Sequence, residues 1–260
     1  MIHEDEAQRW DGTPLAEHQL RDRVALVTGA SGGIGQALAR RLARGGAIVA
    51  AVHGRRAADT VTLVEEIERS GGRACHFGVD VADPDACVEL VQAVRAALGD
   101  IDVLIPGAGV GLPSEFAETN LAIWQQSIDV NLRAPFLLAQ GSLPAMVERG
   151  FGRILFISSV AAMTGGNVGA HYAAAKAGLN GLTHYLASLC AADGVTVNAI
   201  APALIEDTDM LPGDPKVLVR QVPVRRLGRA TEVADLAMAI LANPYLTNQV
   251  VSLDGGIYPR

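Results

Sequence analysis

Val24-Ala25-Leu26-Val27-Thr28-Gly29-Ala30-Ser31-Gly32-Gly33-Ile34-Gly35 is the stretch on which the architecture of this chain turns. The run up to Thr28 is apolar and of buried-strand length, the glycines after it form a turn, and Leu38 and Leu42 recur at the spacing of one helix face. Strand, glycine-rich turn and helix in that order make a phosphate cradle. Glycine lets the backbone approach a pyrophosphate, and the helix N-terminus adds N–H donors and the positive end of its dipole. The same letters also suit a tight structural turn, so the motif must be weighed with its surroundings.

Beyond it, short β-rich runs alternate with helix-period segments, as in a parallel sheet covered on both faces. Strands are predicted near 24–28, 48–52, 73–79, 101–105, 153–158, 195–201 and 250–253. Gly45-Gly46 and Gly71-Gly72 close two helices, Asp83-Pro84 opens a third, and Thr231-Glu232 opens the last. The expected fold is α/β: a single doubly wound Rossmann-type domain over 21–260, with a seven-stranded parallel sheet. Residues 1–20 are polar, without a signal-type apolar core, and are expected to be a loosely ordered extension.

Composition narrows the function classes. The chain has 260 residues, half of them hydrophobic, enough for one α/β core. A net charge of −7 argues against nucleic acid as a partner. Cys75, Cys87 and Cys190 have neither disulfide-framework nor zinc spacing, which suits a reducing cytoplasm, and no metal is expected. No membrane span is expected either. The segment 177–192 lacks Asp, Glu, Lys and Arg but is interrupted by Asn180, Thr183, His184 and Ser188; a helix this apolar all round should cover the sheet on one face and a second copy on the other.

The second strand runs into His53-Gly54-Arg55-Arg56, where a fold holding NAD would place an acid on the ribose hydroxyls. Arg55 there would welcome a 2′-phosphate, and a solvated arginine pair reads equally well. Further on, Ser159 ends a strand and Tyr172 starts an Ala-rich helix, with Lys176 one turn beyond on the same face. A phenol with an ordinary pKa of about 10 needs a nearby cation to exchange protons near neutrality. With four Tyr and only Lys176 and Lys216, roughly 0.03 such Tyr-x-x-x-Lys pairs are expected by chance.

From about Arg21 onward the chain resembles the short-chain dehydrogenase/reductases of the 3-oxoacyl-carrier-protein-reductase-like group. Thr28, Gly29, Gly33 and Gly35 match the family's glycine turn, and Asn131, Ser159, Tyr172 and Lys176 its catalytic set. Asp80 matches the acid on the adenine, Asn198-Ala199-Ile200-Ala201-Pro202 the segment leading to the nicotinamide, and Asp254-Gly255-Gly256 the closing motif. The resemblance implies an NAD(P)H-dependent ketoreductase: Tyr172 donates the proton, Ser159 orients the carbonyl, Lys176 lowers the Tyr172 pKa and holds the ribose, and Asn131 anchors a water. A buried Asn satisfying backbone groups is the plainer reading of Asn131.

Implied cofactor contacts are Gly29, Ser31, Gly33, Ile34, Gly35, His53, Arg55, Asp80, Val81, Gly107, Ala108, Gly109, Tyr172, Lys176, Pro202 and Ile205. NADPH is the expected cofactor, with NAD possible, and a homotetramer the expected assembly. The chain departs from the family at Pro106-Gly107, at Ala203 after Pro202, at Gly32 in the glycine turn and at Thr208, which lies one residue beyond the usual threonine spacing. Residues 203–222 read as a lid and 110–116 as the facing wall of the substrate pocket. A catalytically silent dinucleotide sensor, or an alcohol dehydrogenase working in the oxidising direction, are the alternatives. The Tyr-bearing helix ends in Leu189-Cys190-Ala191-Ala192-Asp193-Gly194, without the basic residues that greet an acidic carrier, so a small carbonyl substrate is expected. Arg149 and Arg153 could form a smaller docking patch.

Overall fold

The computed structural model describes residues 20–211 and 213–258. Most of the expected extension, 1–19, lies outside the described residues; Leu20 is buried in the core. The strands are β1 (Val24–Thr28), β2 (Ile48–His53), β3 (Arg73–Gly78), β4 (Ile101–Pro106), β5 (Gly152–Ile157), β6 (Val195–Pro202) and β7 (Val250–Leu253). The helices are α1 (Gly33–Arg44), α2 (Ala57–Arg69), α3 (Pro84–Leu98), α4 (Leu121–Ile128), α5 (Ala134–Glu148), α6 (Ala161–Thr164), α7 (Ala170–Cys190), α8 (Pro215–Leu218) and α9 (Ala230–Ala242).

All seven strands pair in parallel, in the order β3-β2-β1-β4-β5-β6-β7. Strand alternation divides the core: Ala25, Val27, Val103 and Leu155 face α1, α2 and α9, while Leu26, Leu104, Ile154 and Phe156 face α3, α5 and α7. Between β1 and β4 the sheet reverses its direction of growth. The loops after these strands therefore open a crevice at their C-terminal ends, where doubly wound sheets bind ligands.

Local chemistry explains the helix ends. Asp83 caps α3 by accepting from the Asp85 N–H at 2.9 Å, with Pro84 at the first position. The helix α2 stops at Arg69, just short of the predicted glycines. The last helix starts at Ala230, one residue before the predicted Thr231, because Glu232 reaches back to the Arg229 N–H at 2.8 Å. Between α4 and α5 the chain passes through a π-turn, Asp129–Arg133. Pro135 has no N–H for the carbonyl four residues back, and such turns are frequent at functional sites.

Residues 204–227 carry a small core of their own, Leu218, Val222 and Leu227. Ile205 is buried and pairs with Gly228, which ties the start of the lid to the body. On α7, Leu179, Thr183, Leu186 and Ala187 are buried, while Tyr185 and Leu189 are exposed. Among the described residues no helix is long and apolar enough to cross a membrane. An open groove of about 510 Å³ runs beside α7, lined by Ile128, Leu132, Phe136, Gly181, Leu182 and Tyr185.

Candidate active site

The crevice begins at the glycine turn. Gly29 has φ +70°, and a side chain there would put its Cβ 2.8 Å from the Ala108 backbone and the Gly107 carbonyl. Thr28 Oγ1 accepts from the Ala108 N–H at 3.1 Å, so the turn after β1 and the loop after β4 lock together. This contact braces Pro106-Gly107-Ala108-Gly109 despite its departure from the family pattern. The β4–β5 pairing ends at Leu104 and Ile154, before Pro106, so the missing proline N–H interrupts no bond to β5. Helix α1 starts at Gly33 with no side-chain cap and no acid in its first turn, which leaves a donor end suited to an anion. The residues present thus fit the pyrophosphate of a dinucleotide.

At the end of β2, His53 is buried, its Nδ1 2.9 Å from the Gly54 carbonyl and its ring 5.8 Å from that of His76. Arg55 is exposed. It is Arg56 whose guanidinium reaches back to the turn, with Nη2 3.8 Å from where a Gly32 Cβ would stand. Arg55 was the expected phosphate contact; an arginine pair in sequence does not reveal which side chain reaches the turn. Asp80 accepts from the Ala82 N–H at 3.0 Å, and Val81 is buried beside it. Ser31 and Ile34 line the turn itself, and Pro202 ends β6, its carbonyl accepting from the Val160 N–H at 3.1 Å. Ile205 instead turns its side chain into the core with α9.

Ser159, Tyr172, Lys176 and Asn131 converge across the crevice. Ser159 lies two residues past the end of β5, and its Oγ accepts from the Ala161 N–H at 3.1 Å. Tyr172 and Lys176 are both buried in the first turns of α7, the Lys176 Nζ 5.7 Å from the centre of the Tyr172 ring. Lys176 Nζ donates to the Ile157 carbonyl at 2.7 Å. Asn131 is fully buried: its Nδ2 donates to the carbonyls of Val110 at 2.9 Å and Ser127 at 3.0 Å, and its Oδ1 accepts from the Val110 N–H at 3.2 Å. A side chain at Gly109 would stand 3.0 Å from Asn131 Oδ1 and 3.8 Å from Lys176 Nζ. The plainer reading of Asn131 therefore describes its bonds, which fix the β4 loop beside Lys176.

Burial governs the titration of this cluster. It pushes the Tyr172 phenol up to about 12, against a smaller downward pull from its hydrogen bond with Ser159. It pulls the Lys176 ammonium down to about 8. The expectation that Lys176 lowers the Tyr172 pKa is not met: the ammonium is engaged by the Ile157 carbonyl, and desolvation dominates the phenol. At pH 7 the arrangement holds a neutral phenol beside a cation.

The lid supplies contacts that sequence reasoning missed. Just before Thr208, Asp207 takes φ +56°. A side chain at Gly33 would come within 2.8 Å of the Asp207 carbonyl, and Thr208 Oγ1 donates to the Ile205 carbonyl at 2.9 Å. Met210 packs so closely on the β4 loop that a Gly111 Cβ would stand 2.8 Å from its Cε. Asp209 meets Arg56 at 2.8 Å. Only the glycines at 33 and 111 signalled these contacts, and a glycine does not name its neighbour. The two arginines weighed as an alternative docking patch are engaged internally: Arg149 pairs with Asp100 at 2.8 Å and Asp102 at 3.3 Å, and the buried Arg153 donates to the carbonyls of Leu241, Gly152 and Gly194.

A doubly wound sheet with a glycine cradle at its switch point and a Ser, Tyr and Lys cluster opposite defines a dinucleotide-dependent oxidoreductase. The short chain dehydrogenase family model matches residues 23–216, and the chain belongs to that family. It is 37% identical over 244 residues to Nodulation protein G of Rhizobium sp. (strain N33), covering 92% of this chain and 98% of that one. To 3-oxoacyl-[acyl-carrier-protein] reductase FabG of Escherichia coli (strain K12) it is 36% identical, covering 91% and 97%. Among solved structures, a blue fluorescent protein from a metagenomic library in complex with NADPH superimposes with a TM-score of 0.86 at 36% identity, covering 92% and 99%.

Proposed function

We propose that this enzyme reduces a small ketone to a secondary alcohol with NADPH, and that Tyr172 is its proton donor. The observation that carries this reading is geometric: Tyr172 and Lys176 are buried one turn apart at the start of α7, with Lys176 Nζ 5.7 Å from the centre of the Tyr172 ring, and Ser159 follows the end of β5 in the same crevice. The cofactor, when bound, supplies the hydride. Tyr172 holds the proton that the carbonyl oxygen takes up, and the Ser159 hydroxyl orients that oxygen. Lys176 keeps positive charge beside Tyr172 and would hold the ribose hydroxyls. Asn131 acts as a positioning residue, holding the Val110 backbone and through it the loop that faces Lys176.

Gly29, Ser31, Gly33, Ile34 and Gly35 would hold the pyrophosphate, with Gly107, Ala108 and Gly109 opposite, and Asp80 and Val81 at the adenine. The absence of an acid at His53 and the reach of Arg56 favour a 2′-phosphate over ribose hydroxyls alone. Met210 over Gly111 narrows the pocket, and the spent Arg149 and Arg153 offer nothing to an acidic carrier; both favour a small free substrate. The exposed apolar face of α7 favours a homo-oligomer, and the free thiols a reducing cytoplasm. The test is Tyr172→Phe, which removes one hydroxyl and little contact area. Turnover of a ketone panel should be abolished while dinucleotide affinity stays within about twofold of wild type. Turnover within about tenfold of wild type would refute the assignment.

A further inference from the structure

Arg56 stands between two anion-seeking roles. Its guanidinium lies beside Gly32, the residue that precedes α1, and its Nη2 is 2.8 Å from Asp209 Oδ2 on the lid. Asp59, one turn into α2, is a weaker partner at 3.8 Å. Of the neighbouring lid acids, Glu206 is engaged by Arg229 at 3.3 Å, so Asp209 is the lid carboxylate that meets this arginine. The same short segment touches the crevice elsewhere, through the Asp207 carbonyl at Gly33 and Met210 at Gly111. Residues 207–210 therefore span the crevice from the glycine turn to the loop after β4, and among the described residues the Arg56 pair is the charged contact in that span.

We infer that Asp209 is a specificity-determining residue for the cofactor: it occupies Arg56, and a ribose 2′-phosphate must take Arg56 from it. This rests on the NADPH reading above. A phosphate offers more charge and more acceptor oxygens than a carboxylate, so it wins Arg56, at the cost of breaking the lid contact. A ribose with free hydroxyls leaves the pair intact. Asp209 thus narrows the discrimination between the phosphorylated and unphosphorylated dinucleotide, and links the lid to which of them is bound.

The experiment is calorimetric titration of the full-length protein with adenosine 2′,5′-bisphosphate and with AMP, which lacks the 2′-phosphate. Asp209→Asn should tighten the bisphosphate by about two- to fivefold, the span supported by an exposed ion pair, and leave AMP unchanged. Arg56→Gln should weaken the bisphosphate by about tenfold or more, and adding Asp209→Asn to it should change nothing further. Glu206→Gln, which removes a lid charge not bound to Arg56, should have no such effect. Equal or weaker bisphosphate binding by Asp209→Asn overturns the inference, as does a gain that persists without Arg56, which would mark a general field effect. If Arg56→Gln leaves bisphosphate binding intact, the inference falls alone; if the wild-type protein binds the bisphosphate no more tightly than AMP, the NADPH reading itself falls.

Discussion

Replacing Lys176 by Met should make the protein more stable and inactive at once. The ammonium is buried, and its pKa falls from an ordinary 10.5 to about 8. At 1.36 kcal/mol per factor of ten, holding that charge out of water costs the fold about 3 kcal/mol at pH 7. Met has similar length, no charge and good packing in irregular space. Against the gain stands the lost hydrogen bond to the Ile157 carbonyl, 2.7 Å long and worth about 1 kcal/mol. The net expectation is about 2 kcal/mol, or about 4 °C in Tm for a chain of this size. The sign follows from the depressed pKa. Below about pH 8 both states carry the proton and the fold bears the full cost; between about 8 and 10.5 only the unfolded chain keeps it, so wild-type stability rises with pH. Denaturant unfolding of both proteins at pH 7 and at about pH 9.5 should show the mutant's advantage shrinking by about 2 kcal/mol. The upward shift of Tyr172 acts in the opposite sense only from pH 10 upward. A mutant less stable than wild type at pH 7, or an advantage independent of pH, would refute the desolvation argument.

Three further outcomes are expected. Asn131→Ala should lower stability by about 3 kcal/mol, because it removes the two bonds to the half-buried Val110 backbone and the one to the Ser127 carbonyl, and Tm should fall by about 6 °C; a loss under 1 °C would remove Asn131 as the brace of that loop. Gly181→Arg places a charge in the open groove beside α7, where an added Cβ meets nothing within 4 Å, so light scattering should show a homo-oligomer reduced to a smaller species; an unchanged mass would take the interface elsewhere. For an acetoacetyl group carried on acyl carrier protein and on a small thioester, kcat/KM should not favour the carrier. A tenfold advantage for the carrier that shrinks with added salt would overturn the small-substrate reading.

Periodicity and glycine placement were enough to read the strands and the glycine turn, spacing singled out Tyr172 and Lys176, and the resemblance to the family added Asn131 and Ser159 as expectations. Each depends on a few consecutive residues: a strand's alternation, a helix face, a turn that tolerates φ +70° at Gly29. What the chain brings together across the fold was not readable. Which arginine reaches the glycine cradle, what Lys176 donates to, and where the lid meets Gly33 and Gly111 all depend on segments distant in sequence that meet only when the sheet closes. The Tyr172 pKa is the sharpest case. The spacing of Tyr172 and Lys176 suggested a phenol acidified by its neighbour, whereas the enclosed site raises it to about 12, because desolvation is set by everything packed around a group and not by the residue four positions along the chain.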